Sequence, residues 1–188
     1  MGRTIRLGFR FGFGVLLALT IAGCATQNGE PLKPQRVNLT SLPAGASAAA
    51  TGETPLTAAV LAAVNAYRTE KGVAPLAADP ALQRAAAVHS ADMALRNFIG
   101  NFNPDGQGAQ ERVLAVKPDY KGSVMETISV RRDAGSPSPD ALAADIVKGW
   151  TVDPTQRKVL RDASFTQTGI GTATKGNDVY VTEVFATP

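Results

Sequence analysis

The chain is poor in the residues that cross-link small domains or hold metals. Its 188 residues include one cysteine, one histidine and one tryptophan. A single cysteine, Cys24, excludes any internal disulfide, so the fold must be held by its core. A domain of roughly 130 residues can do this, because it buries about two-thirds of its unfolded surface. A single histidine, His89, leaves no His/Cys cluster of the kind that zinc prefers. The longest N-terminal apolar run, Phe13 to Ile21, falls short of the roughly 20 residues that span a bilayer. Charge of one sign is also missing once the N-terminus is set aside. Arg3, Arg6 and Arg10 precede Cys24 with no acid among them, which leaves 16 of the 19 basic residues against 16 acidic ones. That balance, with only Arg131-Arg132 and Arg157-Lys158 as basic doublets, excludes a nucleic-acid-binding face.

What is present begins with that N-terminus. Three arginines, an apolar core and the small residues Ala22-Gly23 before Cys24 have the layout of a secretory signal. Ile21-Ala22-Gly23-Cys24 resembles the lipobox of bacterial lipoproteins, which implies cleavage before Cys24 and acylation of its thiol. Residues 1–23 are therefore read as a lipoprotein signal peptide. Residues 24–53, rich in Ala, Gly, Ser, Thr and Pro, are read as the lipidated cysteine and a flexible tether. The resemblance also implies a location: Ala25 and Thr26 stand where an aspartate would retain the protein at the inner membrane. A lipid-anchored protein of the cell envelope is expected, on the outer membrane facing the periplasm in preference to the inner membrane.

Residues 54–188 read as one domain. Thr54-Pro55 and Asp79-Pro80 are helix starts, with a capping side chain followed by proline in the first turn. Val60, Leu61, Val64 and Tyr67 trace the first helix, which Gly72 stops. Leu82, Ala86, His89 and Met93 trace the second, to about Asn97. A turn at Asn103–Gly106 leads to a short helix over 109–116 and a strand over 123–130. Ser138-Pro139 opens a third long helix carrying Leu142, Ile146 and Trp150; Pro154 breaks it, and a short helix runs to Leu160. Thr168–Thr174 and Val179–Phe185 read as a hairpin across Lys175–Asp178. This order predicts an α+β fold, with helices packed on a small, mainly antiparallel sheet.

Several of these segments resemble one family. Ala85-Ala86-Ala87-Val88-His89-Ser90-Ala91-Asp92-Met93-Ala94 is similar to the A-H-x-x-D-M-A helix of the CAP superfamily, the SCP-like extracellular domains. Asn97 to Gly106 is similar to its N-F-F-S-H-x-x-P-D-G loop, and Met125-Glu126-Thr127-Ile128 to its G-E-N-I strand. Trp150 to Leu160 and the Gly169-Ile170-Gly171-Thr172-Ala173 hairpin complete the series. The resemblance covers about residues 56–186 and implies an α-β-α sandwich. It also implies a central cleft where many members carry two histidines and two acidic residues, in some of them around a divalent metal.

At those positions this chain carries Asn101, Glu126, Asp153 and Gln156. Carboxamides are poor zinc ligands and cannot act as general bases, so neither zinc nor hydrolytic chemistry is expected there. Three arrangements remain open. In one the amides hydrogen-bond Glu126 and Asp153 in a neutralised cleft, in another the four groups form an oxygen site for calcium built on Glu126 and Asp153, and in the third the positions do not converge. His89 and Trp150 are both read as core residues. The expected function is a non-catalytic, membrane-anchored CAP domain without a cofactor, binding a lipid or small apolar ligand. An interaction module contacting an envelope protein or peptidoglycan is the alternative, and a hydrolase a third class.

Overall fold

In the computed structural model the described residues are 53–188, together with Thr26–Gln27 and Glu30–Pro31. The expected signal peptide, Cys24 and most of the expected tether lie outside them. Within that N-terminal stretch β1 (Thr26–Gln27) and β2 (Glu30–Pro31) form an antiparallel pair of their own. No helix among the described residues is long and apolar enough to cross a membrane.

The domain begins with α1 (Pro55–Glu70), opened by a reciprocal cap between Thr54 and Thr57. Its inward stripe is Thr57, Val60, Val64 and Arg68, so the stripe ends on an arginine one position beyond the expected Tyr67. β3 (Ala77–Ala78) follows, then α2 (Pro80–Arg96), where Asp79 Oδ1 accepts from the amides of Ala81 and Leu82 at 2.8 and 2.9 Å. Asn97 ends α2 in the left-handed region, with φ of 56°. Next come α3 (Ala109–Val116), β4 (Val124–Arg131), α4 (Pro139–Val152), α5 (Pro154–Leu160), β5 (Gln167–Lys175) and β6 (Asp178–Ala186). The two-residue turn Gly176-Asn177 joins the last two strands. Gly176 has a φ of +59°, the left-handed start that suits a tight hairpin.

The sheet order is β3-β5-β6-β4, antiparallel throughout except for the parallel β3–β5 pair. The fold is thus α+β, an α-β-α sandwich as expected. Side-chain alternation along the strands supplies both cores. Ile170, Val181 and Phe185 face α1, α4 and α5 and pack with Val60, Val64, Ile146, Trp150 and Leu160. Val184 and Ala186 face the other way, against Leu82 and Ala86 of α2 and Val113 of α3. Trp150 is core, 1% exposed, with its indole N–H donated to the Ile128 carbonyl at 2.8 Å. β3 escapes sequence reading because two exposed alanines carry neither alternation nor β-branching.

Two glycines set how closely α2 lies on the sheet. A Cβ on Gly169 would meet the backbone of Leu82 and Gln83, and one on Gly171 the backbone of Ala86 and Ala87. Main chain therefore lies against main chain, which only glycine permits. Ser90 fastens the same seam, donating to the Gly171 carbonyl at 2.9 Å and lying 2.9 Å from Thr182 Oγ1.

The opposite core holds a carboxyl. Glu183 is fully buried; its Oε1 accepts from Thr168 Oγ1 at 3.0 Å, while Oε2 has no partner among the described residues. Thr127, directly across the β4–β6 register, also has an unpartnered buried hydroxyl. Burial pushes the Glu183 carboxyl up to about 8, against the opposing pull of the Thr168 hydrogen bond and the Arg68 charge. The group is therefore neutral in the fold near pH 7.

Gly171→Ala should cost at least about 3 kcal/mol in urea unfolding, the upper end for overpacking. Gly100→Ala, whose Cβ meets only one atom at 3.5 Å, should cost under about 1 kcal/mol. Because the folded Glu183 lies above its ordinary 4.5, its contribution is full below about pH 4.5 and is lost as pH rises through about 8. Urea midpoints measured from pH 5 to 9 should fall, and Glu183→Gln should flatten that fall.

Candidate functional site

The loop between α2 and α3 is built by polar side chains. Asn103 Oδ1 accepts from the amides of Asp105 and Gln107 at 3.1 and 2.9 Å, folding residues 103–107 into a turn with Gly106 at a φ of +77°. Arg96, in the last turn of α2, reaches both Asp92 and Asp105, at 2.6 and 2.7 Å. The loop closes on Gly108, whose amide donates to Glu111 Oε2 at 2.9 Å as α3 begins. Phe102 lies against Gly108, where a Cβ would meet its ring at 3.0 Å, and remains 68% exposed.

This loop, β4 and α5 enclose a cleft of 370 Å³. That volume falls in the range of small-molecule sites. Phe102, Val124, Met125 and Val159 give it apolar walls, and Asn101, Glu111, Glu126 and Gln156 give it polar points. Three of the four sequence-predicted residues, Asn101, Glu126 and Gln156, thus share one cleft. Asp153 does not line it. Its carboxylate is the N-cap of α5, accepting from the amides of Thr155 and Gln156 at 2.8 and 2.9 Å. The reason is local: Asp153-Pro154 repeats the Asp79-Pro80 helix start, and a capping carboxylate turns back onto its own helix. The expected side-chain pairing of Gln156 with Asp153 is replaced by this backbone contact. The Gln156 carbonyl oxygen is buried without a partner among the described residues.

Glu126 is held by a residue that sequence reading passed over. Arg112 Nη2 donates to both its oxygens, at 2.7 and 2.6 Å, and Asn101 Nδ2 donates to Oε1 at 3.3 Å. The same guanidinium donates to the carbonyls of Gln107 and Asn101 at 2.8 and 3.2 Å, so it also fastens the loop. Arg112 is 1% exposed and Glu126 8%. Burial pushes the Glu126 carboxyl up, and Arg112 and Asn101 pull it back towards the ionised form. The signal that identifies Arg112 is a requirement: a carboxylate on a buried strand position demands a cation.

His89 lies beneath this pair, fully buried. Its Nε2 is 2.9 Å from the Gly100 carbonyl, which can only accept, so Nε2 carries the proton and Nδ1 is left without a partner among the described residues. Glu126 Oε1 is 3.7 Å away, and the Phe98 ring packs at 5.8 Å. Burial first, and then the Arg112 charge, lower the His89 value to about 3, so the imidazole is neutral at pH 7. It is the core histidine expected from its helix position.

These donors do not fit a divalent metal. Glu126 has both oxygens committed to Arg112, Asp153 caps a helix outside the cleft, and the positions beside Glu126 are carboxamides. The calcium arrangement on Glu126 and Asp153 therefore fails, because the two carboxylates do not converge. A zinc site fails on ligand chemistry. No group of three His, Cys, Asp or Glu side chains suited to a metal occurs among the described residues.

A family model matches residues 61–186, that of CAP, the cysteine-rich secretory protein family. The chain belongs to the CAP family. Solved structures with a similar fold include an extracellular protein with an SCP domain from Bacillus anthracis, 23% identical with a TM-score of 0.59. They also include an outer surface protein of Borrelia burgdorferi, 15% identical with a TM-score of 0.59, and a cysteine-rich secretory protein of Staphylococcus aureus, 16% identical with a TM-score of 0.51. The match covers 70% of this chain and 92% of the Borrelia protein. It covers 71% of this chain but only 40% and 38% of the Bacillus and Staphylococcus proteins. At these identities the likeness establishes the fold. No curated protein matches the chain in sequence. The CAP domain here is free of cysteine despite the family's description.

Arg112→Ala strands a buried carboxylate and should cost about 3–5 kcal/mol in urea unfolding. Arg112→Met combined with Glu126→Met should recover part of that loss. A cost below about 1 kcal/mol for the single change would show that the pair does not hold the cleft floor.

Proposed function

We propose that this protein is a lipid-anchored cell-envelope lipoprotein whose CAP domain binds a small apolar or amphipathic ligand and catalyses nothing. One observation carries the reading: the buried Glu126 carboxyl at the cleft floor is held by Arg112, Glu111 is tied to the Gly108 amide, and much of the wall is apolar. A general base needs a free lone pair within reach of a substrate proton. The Glu126 oxygens are occupied by Arg112, and His89 is sealed beneath the cleft floor. Phe102, Val124, Met125 and Val159 offer the contacts that an alkyl chain or flat apolar ring takes up. The alternative of a contact module for another envelope protein draws on the exposed apolar side chains of the α2–α3 loop, Ile99 at 57% and Phe102 at 68% exposed.

Cys24, with its lipobox-like approach, supports anchoring by acyl chains. Two or more chains give stable attachment where one does not. The extracellular and outer-surface titles of the structural neighbours support a location outside the cytoplasm.

The test is native mass spectrometry of the full chain extracted from its own membrane. An acyl-modified Cys24 and a lipid-sized adduct are expected, with the adduct lost in Phe102→Ser/Met125→Ser. Cys24→Ala should remove the acyl mass and shift the protein to the soluble fraction. A wild-type chain without acyl mass overturns the anchor, and an empty cleft with a reproducible protein partner moves the assignment to the contact module.

A further inference from the structure

Helix α5 separates two recesses of unlike chemistry. Thr155, Gln156 and Val159 belong to the wall of the apolar cleft. Pro154, Arg157, Lys158, Arg161 and Asp162 line an open groove of 510 Å³ on the other side of the same helix. Thr155 and Lys158 are three positions apart, so they are surface neighbours with Cβ atoms about 5–6 Å apart. A single ridge therefore divides the apolar space from the cationic one.

The groove carries three cations against one acid, Asp162, whose charge also acts on Lys158. Asp162 accepts from the Ser164 amide at 2.9 Å and its hydroxyl at 2.6 Å, which hold the carboxyl below its usual range. Arg157 is fixed in place by donating to the Thr151 carbonyl at 3.0 Å. Elsewhere on the domain Lys71, Arg96, Lys117, Arg131 and Arg132 each sit beside a carboxylate. Among the described residues no carboxylate comes within 4.0 Å of Lys158 or Arg161. Lys121, Lys148 and Lys175 share that lack of a close carboxylate, but among these cations only Lys158 and Arg161 line a recess on the helix that walls the cleft.

We propose that the α5 groove recognises the anionic head of an amphiphile whose alkyl portion lies in the cleft, with Lys158 and Arg161 as the head-group contacts. This rests on the ligand-binding reading above and names its ligand class. The shared chemistry is a phosphate-type anion, from a lipid head or from free phosphate. Arginine and lysine pair with such an anion through charge-assisted hydrogen bonds, and salt weakens the attraction.

The experiment titrates the full chain carrying Cys24→Ala, in detergent-free buffer, with octyl phosphate, octanol and inorganic phosphate by calorimetry. Octyl phosphate should bind at least about tenfold more tightly than octanol. Lys158→Glu/Arg161→Glu should erase that preference while leaving octanol binding unchanged, and Phe102→Ser/Met125→Ser should weaken both amphiphiles. Equal affinity for the two amphiphiles, or a preference that survives the charge reversal, overturns head-group recognition and leaves the cleft reading standing. Inorganic phosphate binding as tightly as octyl phosphate makes the groove a free-anion site and also overturns the inference. Failure of both amphiphiles to bind overturns the cleft reading itself.

Discussion

The close approach of α2 to β5 is the constraint on which the rest of the domain depends. With Gly169 and Gly171 admitting the backbone of Leu82–Ala87, the helix is fixed in height and rotation against the sheet. Rotation decides which residues α2 sends inward. It buries His89 beneath Gly100 and aims Ser90 at the strands. The loop that frames the cleft starts from that helix end. A wider spacing, such as larger side chains would impose, would move every one of these contacts together.

The cleft floor shows how the same scaffold is adapted. A buried pair such as Arg112–Glu126 is weak as a source of stability, since desolvation consumes most of the attraction. Its effect here is positional. One guanidinium joins α3, the Asn101 and Gln107 carbonyls and the edge strand β4, so the loop carrying Phe102 has a defined place. Around the pair the cleft presents apolar walls with Asn101, Glu111 and Gln156 as polar points.

Much of the architecture was legible because its signals are local. Proline after a capping residue marks the starts of α1, α2, α4 and α5, and the Gly176 turn marks the hairpin. The site was legible only in part. Asn101 and Glu126 meet as read, but Asp153 was assigned to the cleft when its own Asp-Pro signal already placed it at a helix cap. Arg112 and Glu111 were missed because their importance comes from a strand partner and a loop closure that periodicity does not encode. Glu183 likewise sits in an alternating strand as though it were another β residue, and only the three-dimensional packing shows that both faces of that strand are buried.

Arg68 bears on how such a domain survives without covalent cross-links. Its fully buried guanidinium donates to the carbonyls of Ala74, Leu160, Asp162 and Phe165, at 2.8 to 3.1 Å. One side chain on α1 thereby clasps the segment before β3 and the stretch from the end of α5 towards β5, whose carbonyls lie 92 to 97 residues beyond Arg68 in sequence. Tying segments distant in sequence is what a disulfide does by covalent means. A clasp of hydrogen bonds closes spontaneously as the chain collapses. It needs no thiol oxidase and offers reductants nothing to attack, so the integrity of the domain is uncoupled from the redox state of its surroundings.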